Sequence, residues 1–238
     1  MSESMRTLVE VIFNLSYLIV VWALVVMMVR RQSTVAPENL AVAKRVMGAF
    51  ALLALGDTGH VGFRVLAYAN GGLDANPTLV GLGALATAIT VTFFYALMLD
   101  VWRLRFHKKW DWFAYILLGA AVIRLILMAL PQNEWGNVVP PQPFGIYRNL
   151  PLIVQGLGVM ILILRDAAAA KDRTFLWIGA MIFVSYAFYT PVILWVQQSP
   201  LLGMLMIPKT LAYVAIAVIA YRELYGAPSE AKLKAANA

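Results

Sequence analysis

The chain has 238 residues, of which 62% are hydrophobic and only 13% charged, with a mean hydropathy of +0.77. That composition excludes a soluble domain, which would have to leave large apolar faces in water. A formal net charge of +7 would suit a nucleic-acid partner, but its distribution points elsewhere, and the absence of cysteine excludes disulfides, thiolate metal sites and cysteine nucleophiles.

About 20 apolar residues cross the hydrocarbon core of a bilayer as a helix. Seven such spans are predicted, at 7–29, 45–69, 78–101, 112–130, 149–166, 175–197 and 200–221. The expected fold is therefore an all-α integral membrane protein, a seven-transmembrane-helix bundle forming one domain over 1–225, with a short flexible tail at 226–238. The first span is too long for a signal-peptide core and runs into Arg30-Arg31 instead of a cleavage site, so it is read as retained.

The first span also carries Asn14 and Ser16, and beyond it the connection to the second holds Arg30, Arg31, Lys44 and Arg45. On the second span Asp57, His60 and Arg64 are spaced by three and seven residues, which puts them on one face of a helix where they can act together. Gly56, Gly59 and Gly62 flank that face and suit close approach to a neighbouring helix. The third span has no acid between Thr78 and Leu99, and it leads into Arg103, Arg105, Lys108 and Lys109.

Arg124 falls about six residues from the end of the fourth span. The connection that follows, 131–148, is the longest, and its prolines and aromatics suit an ordered cap over the mouth of the bundle or a plain connector. Tyr147 and Asn149 lie at the start of the fifth span, which ends at Arg165 before Lys171 and Arg173. The sixth span carries Ser185, Tyr186, Tyr189 and Pro191, and the seventh has Pro208 beside Lys209 at the depth of His60. Both prolines are expected to free a carbonyl and bend a helix at that level.

Basic residues crowd alternate connections, and Arg222, Lys232 and Lys234 follow the last span, whereas the opposite connections hold only Arg148 and the amino terminus only Arg6. By the positive-inside rule the amino terminus is outside and the carboxyl terminus cytoplasmic, in a bacterial-type inner or plasma membrane. The basic loops are assigned to topology and lipid head groups, so no nucleic-acid partner is expected. Trp102, Trp110, Trp112 and Trp177 at one boundary and Trp135 and Trp195 at the other read as interfacial belts.

A charged side chain within a span costs roughly 2.5–3.5 kcal/mol on insertion scales, so it normally meets a partner, a cavity or a ligand. Arg64, Arg124 and Lys209 fall in the outer half of the bundle, where the acids are Asp57 and, near the mouth, Glu10. The expected site is an outer cavity lined by Asp57, His60, Arg64, Arg124, Lys209, Tyr186 and Tyr189 that binds an anionic small molecule or lipid. Asp57 would hold Lys209 or His60 charged, and the arginines would take the anionic group. A structural alternative has Asp57 paired with Lys209 or Arg64 simply to satisfy buried charge.

The absence of filter-like repeats and charge rings argues against a channel, and no soluble output domain is visible, so a sensor would need a signalling partner protein. A receptor or transporter is thus the leading class. An intramembrane enzyme using Asp57 and His60 as an acid/base pair is an alternative. No metal is expected, because His60 and His107 fall on opposite sides of the membrane. Seven spans with the amino terminus outside and a lysine in the seventh resemble the opsin arrangement, and the run Tyr186 to Trp195 resembles the aromatic-and-proline sixth helix of microbial opsins. That resemblance implies retinal as cofactor on Lys209, with Asp57 serving as counter-ion from the second span.

Overall fold

In the computed structural model, which describes residues 3–226 but not the side chains of 3–7 and 10, the described chain is all-helical, without strands. Eight α-helices follow in order: α1 (Glu3–Arg30), α2 (Leu40–Ala69), α3 (Pro77–Arg105), α4 (Trp112–Ala129), the short α5 (Gln142–Tyr147), α6 (Leu150–Ala169), α7 (Arg173–Trp195) and α8 (Met206–Tyr225). Seven of the helical segments are long and apolar enough to cross a membrane. The predicted tail beyond Gly226 and the side chains of Arg6 and Glu10 lie outside the described residues.

The seven long helices close into a ring in chain order, α1 against α2, then α3, α4, α6, α7 and α8, with α8 returning to α1. Additional contacts of α3 with α6 and of α2 with α8 close the middle. Short connections make this order natural, since each helix packs on the one before it. The α2–α3 seam is the tightest, and small residues permit it: a side chain at Gly56 would run into Thr90, and one at Gly83 would crowd the backbone of His60. Gly62 faces open space, so Gly56, Gly59 and Gly62 do not share one seam.

The helices overrun several predicted spans. α3 has 29 residues and is thus roughly 44 Å long, well beyond a hydrocarbon core of about 30 Å. Its polar extension carries Asp100, Arg103 and Arg105, which hydropathy alone cannot join to the span. Starts are set by local chemistry: the Asp111 and Asp172 side chains accept from the backbone N–H groups of Ala114 (2.8 Å) and Phe175 (3.1 Å), capping α4 and α7. Gly71 and Gly72, with φ of 99° and 106°, make the turn out of α2.

Two sequence expectations change. Trp102 is a core residue rather than a belt residue, 1% exposed, and its indole N–H donates to Asp166 at 2.8 Å. Pro208 is the third residue of α8, after a 3-10 segment at Pro200–Leu205, so it lies in a first turn whose N–H groups have no α-helical partner to lose. Pro191 lies inside α7, which continues past it to Trp195.

The end of the bundle bearing the connections 31–39, 106–111 and 170–172 pairs bases with carboxylates. Asp100 bonds Arg45 and Arg103, both at 2.7 Å, Arg105 bonds Asp172 at 2.8 Å, and Asp166 meets Lys108 at 3.3 Å and Arg165 at 2.9 Å. Toward the other end the ring encloses a cavity.

Candidate functional site

All seven long helices contribute to this cavity of about 560 Å³, which also takes Trp135 from the α4–α5 connection. Asp57, His60 and Arg64 form its α2 wall, Arg124 enters from α4, and Lys209 and Tyr189 from α8 and α7. Arg148 and Asn149, just before α6, lie on the same lining.

Asp57 does not pair with Lys209. Its two carboxylate oxygens accept hydroxyl hydrogens, one from Tyr17 of α1 at 2.8 Å and one from Thr87 of α3 at 2.7 Å. The carboxylate thus ties three helices together and is oriented by neutral donors. Lys209 is held by aromatic faces, with Nζ 4.8 Å from the Tyr189 ring centroid and 5.3 Å from that of Tyr213. Among the described residues no carboxylate comes within ion-pair distance of it. Electron-rich ring faces stabilise an ammonium without neutralising it.

Arg124 is 2% exposed and donates only to neutral acceptors: Nε to the Arg148 carbonyl at 3.1 Å, one terminal nitrogen to Thr92 Oγ1 at 3.0 Å and the other to Asn149 Oδ1 at 3.5 Å. Arg148, also buried, donates to Asn133 Oδ1 at 3.2 Å and lays its guanidinium over the Trp135 ring at 4.3 Å. Neither has a carboxylate partner among the described residues. Chemically, the site presents guanidinium and ammonium donors whose charge the surrounding protein does not cancel, and such groups take anionic oxygens.

The remaining sequence candidates separate. Tyr189 lines the cavity and links its cations, since its ring lies under Lys209 and its hydroxyl approaches Asn149 Oδ1 at 3.5 Å, the acceptor shared with Arg124. Tyr186, expected beside it, is instead buried behind the wall, where its hydroxyl donates to the Leu152 carbonyl at 2.9 Å and its ring lies against Gly156. Three residues on, the helix turns the side chain to a different direction, which a uniformly apolar span does not reveal. Tyr147 is 50% exposed and packs on Phe144, away from the cavity, while Asn14 lies on the lining.

Arg148, Tyr17, Thr87 and Tyr213 were missed in the sequence. Arg148 had a signal: it is the one basic residue in connections otherwise free of them.

The connection 131–148 is an ordered cap. The Trp135 indole donates to the Met128 carbonyl at 2.9 Å, Gln197 donates to the Pro140 carbonyl at 3.0 Å, and the Trp135 carbonyl rests on Gly81 with no space for a side chain. A search of protein-family models, curated proteins and solved structures finds no match to the chain.

Proposed function

We propose that the chain is a multi-pass membrane binding protein of receptor or transporter type whose cavity takes an anionic small molecule or lipid. One observation carries the reading: Arg124, Arg148 and Lys209 converge on a cavity in which Asp57 is the one carboxylate among the described lining residues, and Asp57 is occupied by two hydroxyls. A cluster serving only stability would pair its charges, as the opposite end of this bundle does. An anion in the cavity would offset their desolvation.

The apolar part of the lining, including Phe13, Val192, Val196, Met204 and Ile207, suits the body of an amphiphile. In this reading the cavity end is outer and the ion-paired end cytoplasmic, facing lipid head groups and any signalling partner, in a bacterial-type inner or plasma membrane.

Native mass spectrometry of the detergent-purified protein, with extraction of small molecules and lipids, tests it. A retained anion that disappears in Arg124→Gln and Lys209→Gln variants that still fold is the expected result. An unchanged ligand profile in those variants would remove the proposal. A visible absorbance band on adding retinal, lost in Lys209→Gln, would replace it with the photoreceptor reading.

A further inference from the structure

Building on the anion reading above, we infer that the ligand head group is a dianionic phosphoryl group, a phosphate monoester or phosphonate, rather than a monoanion such as a single carboxylate or sulfonate. The argument is one of charge and donor supply. Leaving Arg64 aside, the cavity lining holds three basic side chains able to carry charge, Arg124, Arg148 and Lys209, against the single carboxylate of Asp57 among the described residues. A monoanion would leave one of those charges uncompensated inside the bundle, and a dianion leaves none.

The donors are also more numerous than one carboxylate uses. A guanidinium carries five N–H groups and an ammonium three. In the structure Arg124 directs three nitrogens at protein oxygens, Arg148 directs one at Asn133, and Lys209 faces two rings. The Arg148 backbone carbonyl accepts from Arg124 Nε, while the Arg148 guanidinium lies over Trp135 and donates to Asn133, and Lys209 sits on the ring of Tyr189, whose hydroxyl approaches the Asn149 acceptor of Arg124. Two guanidiniums and an ammonium lining one cavity supply donors enough for three terminal oxygens on a tetrahedral centre, whereas a planar carboxylate offers two oxygens in one plane. Asp57 does not oppose the head group directly, since Tyr17 and Thr87 hold it.

Isothermal titration of the purified protein in a neutral detergent with phenylphosphonate and benzenesulfonate tests this. The two probes share a ring and a tetrahedral head group and differ in charge once the second phosphonate proton leaves, in the region of pH 6–7, about where phosphate monoesters lose theirs. Phenylphosphonate binding at least tenfold tighter than benzenesulfonate at pH 8, with the ratio falling towards one at pH 5 and at pH 8 in Lys209→Gln, is the expected result.

Equal affinities at pH 8 would overturn the dianion inference and leave the anion reading standing. Binding of neither anion above a benzyl alcohol control would overturn both. Inorganic phosphate and a lysophosphatidate in the same titration identify the source: tighter phosphate supports a soluble phosphoryl ligand, and tighter lysophosphatidate a lipid one. Should Lys209→Gln fail to fold, Arg148→Gln serves, with the same collapse of the ratio expected.

Discussion

At Lys209 two effects compete, and their sizes predict which wins in the ligand-free protein. A lysine inside a span costs roughly 2.5–3.5 kcal/mol on insertion scales, while a cation over an aromatic face that borders a cavity large enough for water recovers about 0.5–1 kcal/mol per ring. With two rings and no carboxylate in range among the described residues, the balance still falls against the charge. Lys209→Met keeps the length of the side chain and removes the charge, so it should raise the stability of the ligand-free protein by about 1 kcal/mol while abolishing anion binding. Denaturant unfolding in mixed micelles measures this. A variant less stable than the wild type would mean that the ammonium holds a stabilising partner.

The same residue shows what sequence can yield. Its depth follows from counting, and the spacing of Asp57, His60 and Arg64 along α2 puts them on one cavity wall. Rotation was not legible: Tyr186 and Tyr189 look alike in an apolar span, yet one is buried against Gly156 and the other lines the cavity. Arg148 was hidden because it was counted as a loop charge, although it stands two residues before α6.

Among the elements, the long helices were legible because hydropathy and length determine them, and their polar extensions were not. The cap at 131–148 could only be suggested, since its order depends on single contacts made by Asn133, Trp135 and Arg148. The Trp135 carbonyl also sits against Gly81 of α3. Gly81→Ala places a methyl group where that carbonyl lies, and overpacking of this kind costs about 1–3 kcal/mol.

The cap should lift. Hydrogen exchange across 131–148 is then expected to speed up while the α2–α3 seam keeps its protection. Gly119→Ala is the control, because a methyl group there meets nothing within 4 Å. Equal exchange in the two variants would show that the cap is held by its other contacts.

For the whole molecule, the two ends differ in charge and in packing, with ion pairs at one and the cavity towards the other. The cavity lies towards the end that bears the cap, and beneath it aromatic rings pack the core: Phe94 stands edge-on to Phe50 and Tyr213, both at 5.4 Å, and to Tyr95 at 5.1 Å. Tyr95 and Tyr213 share a hydroxyl hydrogen bond of 2.8 Å across the ring. The cavity thus sits nearer one end of the bundle, so which end faces outward decides which compartment lies nearer to it.

Charge supplies the expectation. Basic residues concentrate in the connections at the ion-paired end, and orientation follows such asymmetry in short loops. The chain has no cysteine, so single reporters can be introduced without background. Asn137, on the cap, and Lys109, at the opposite end, are both exposed. In intact cells a membrane-impermeant maleimide should label Asn137→Cys and leave Lys109→Cys unmodified until the membrane is opened. The reverse pattern would turn the cavity to the cytoplasm, and its anion would then be drawn from the cell interior.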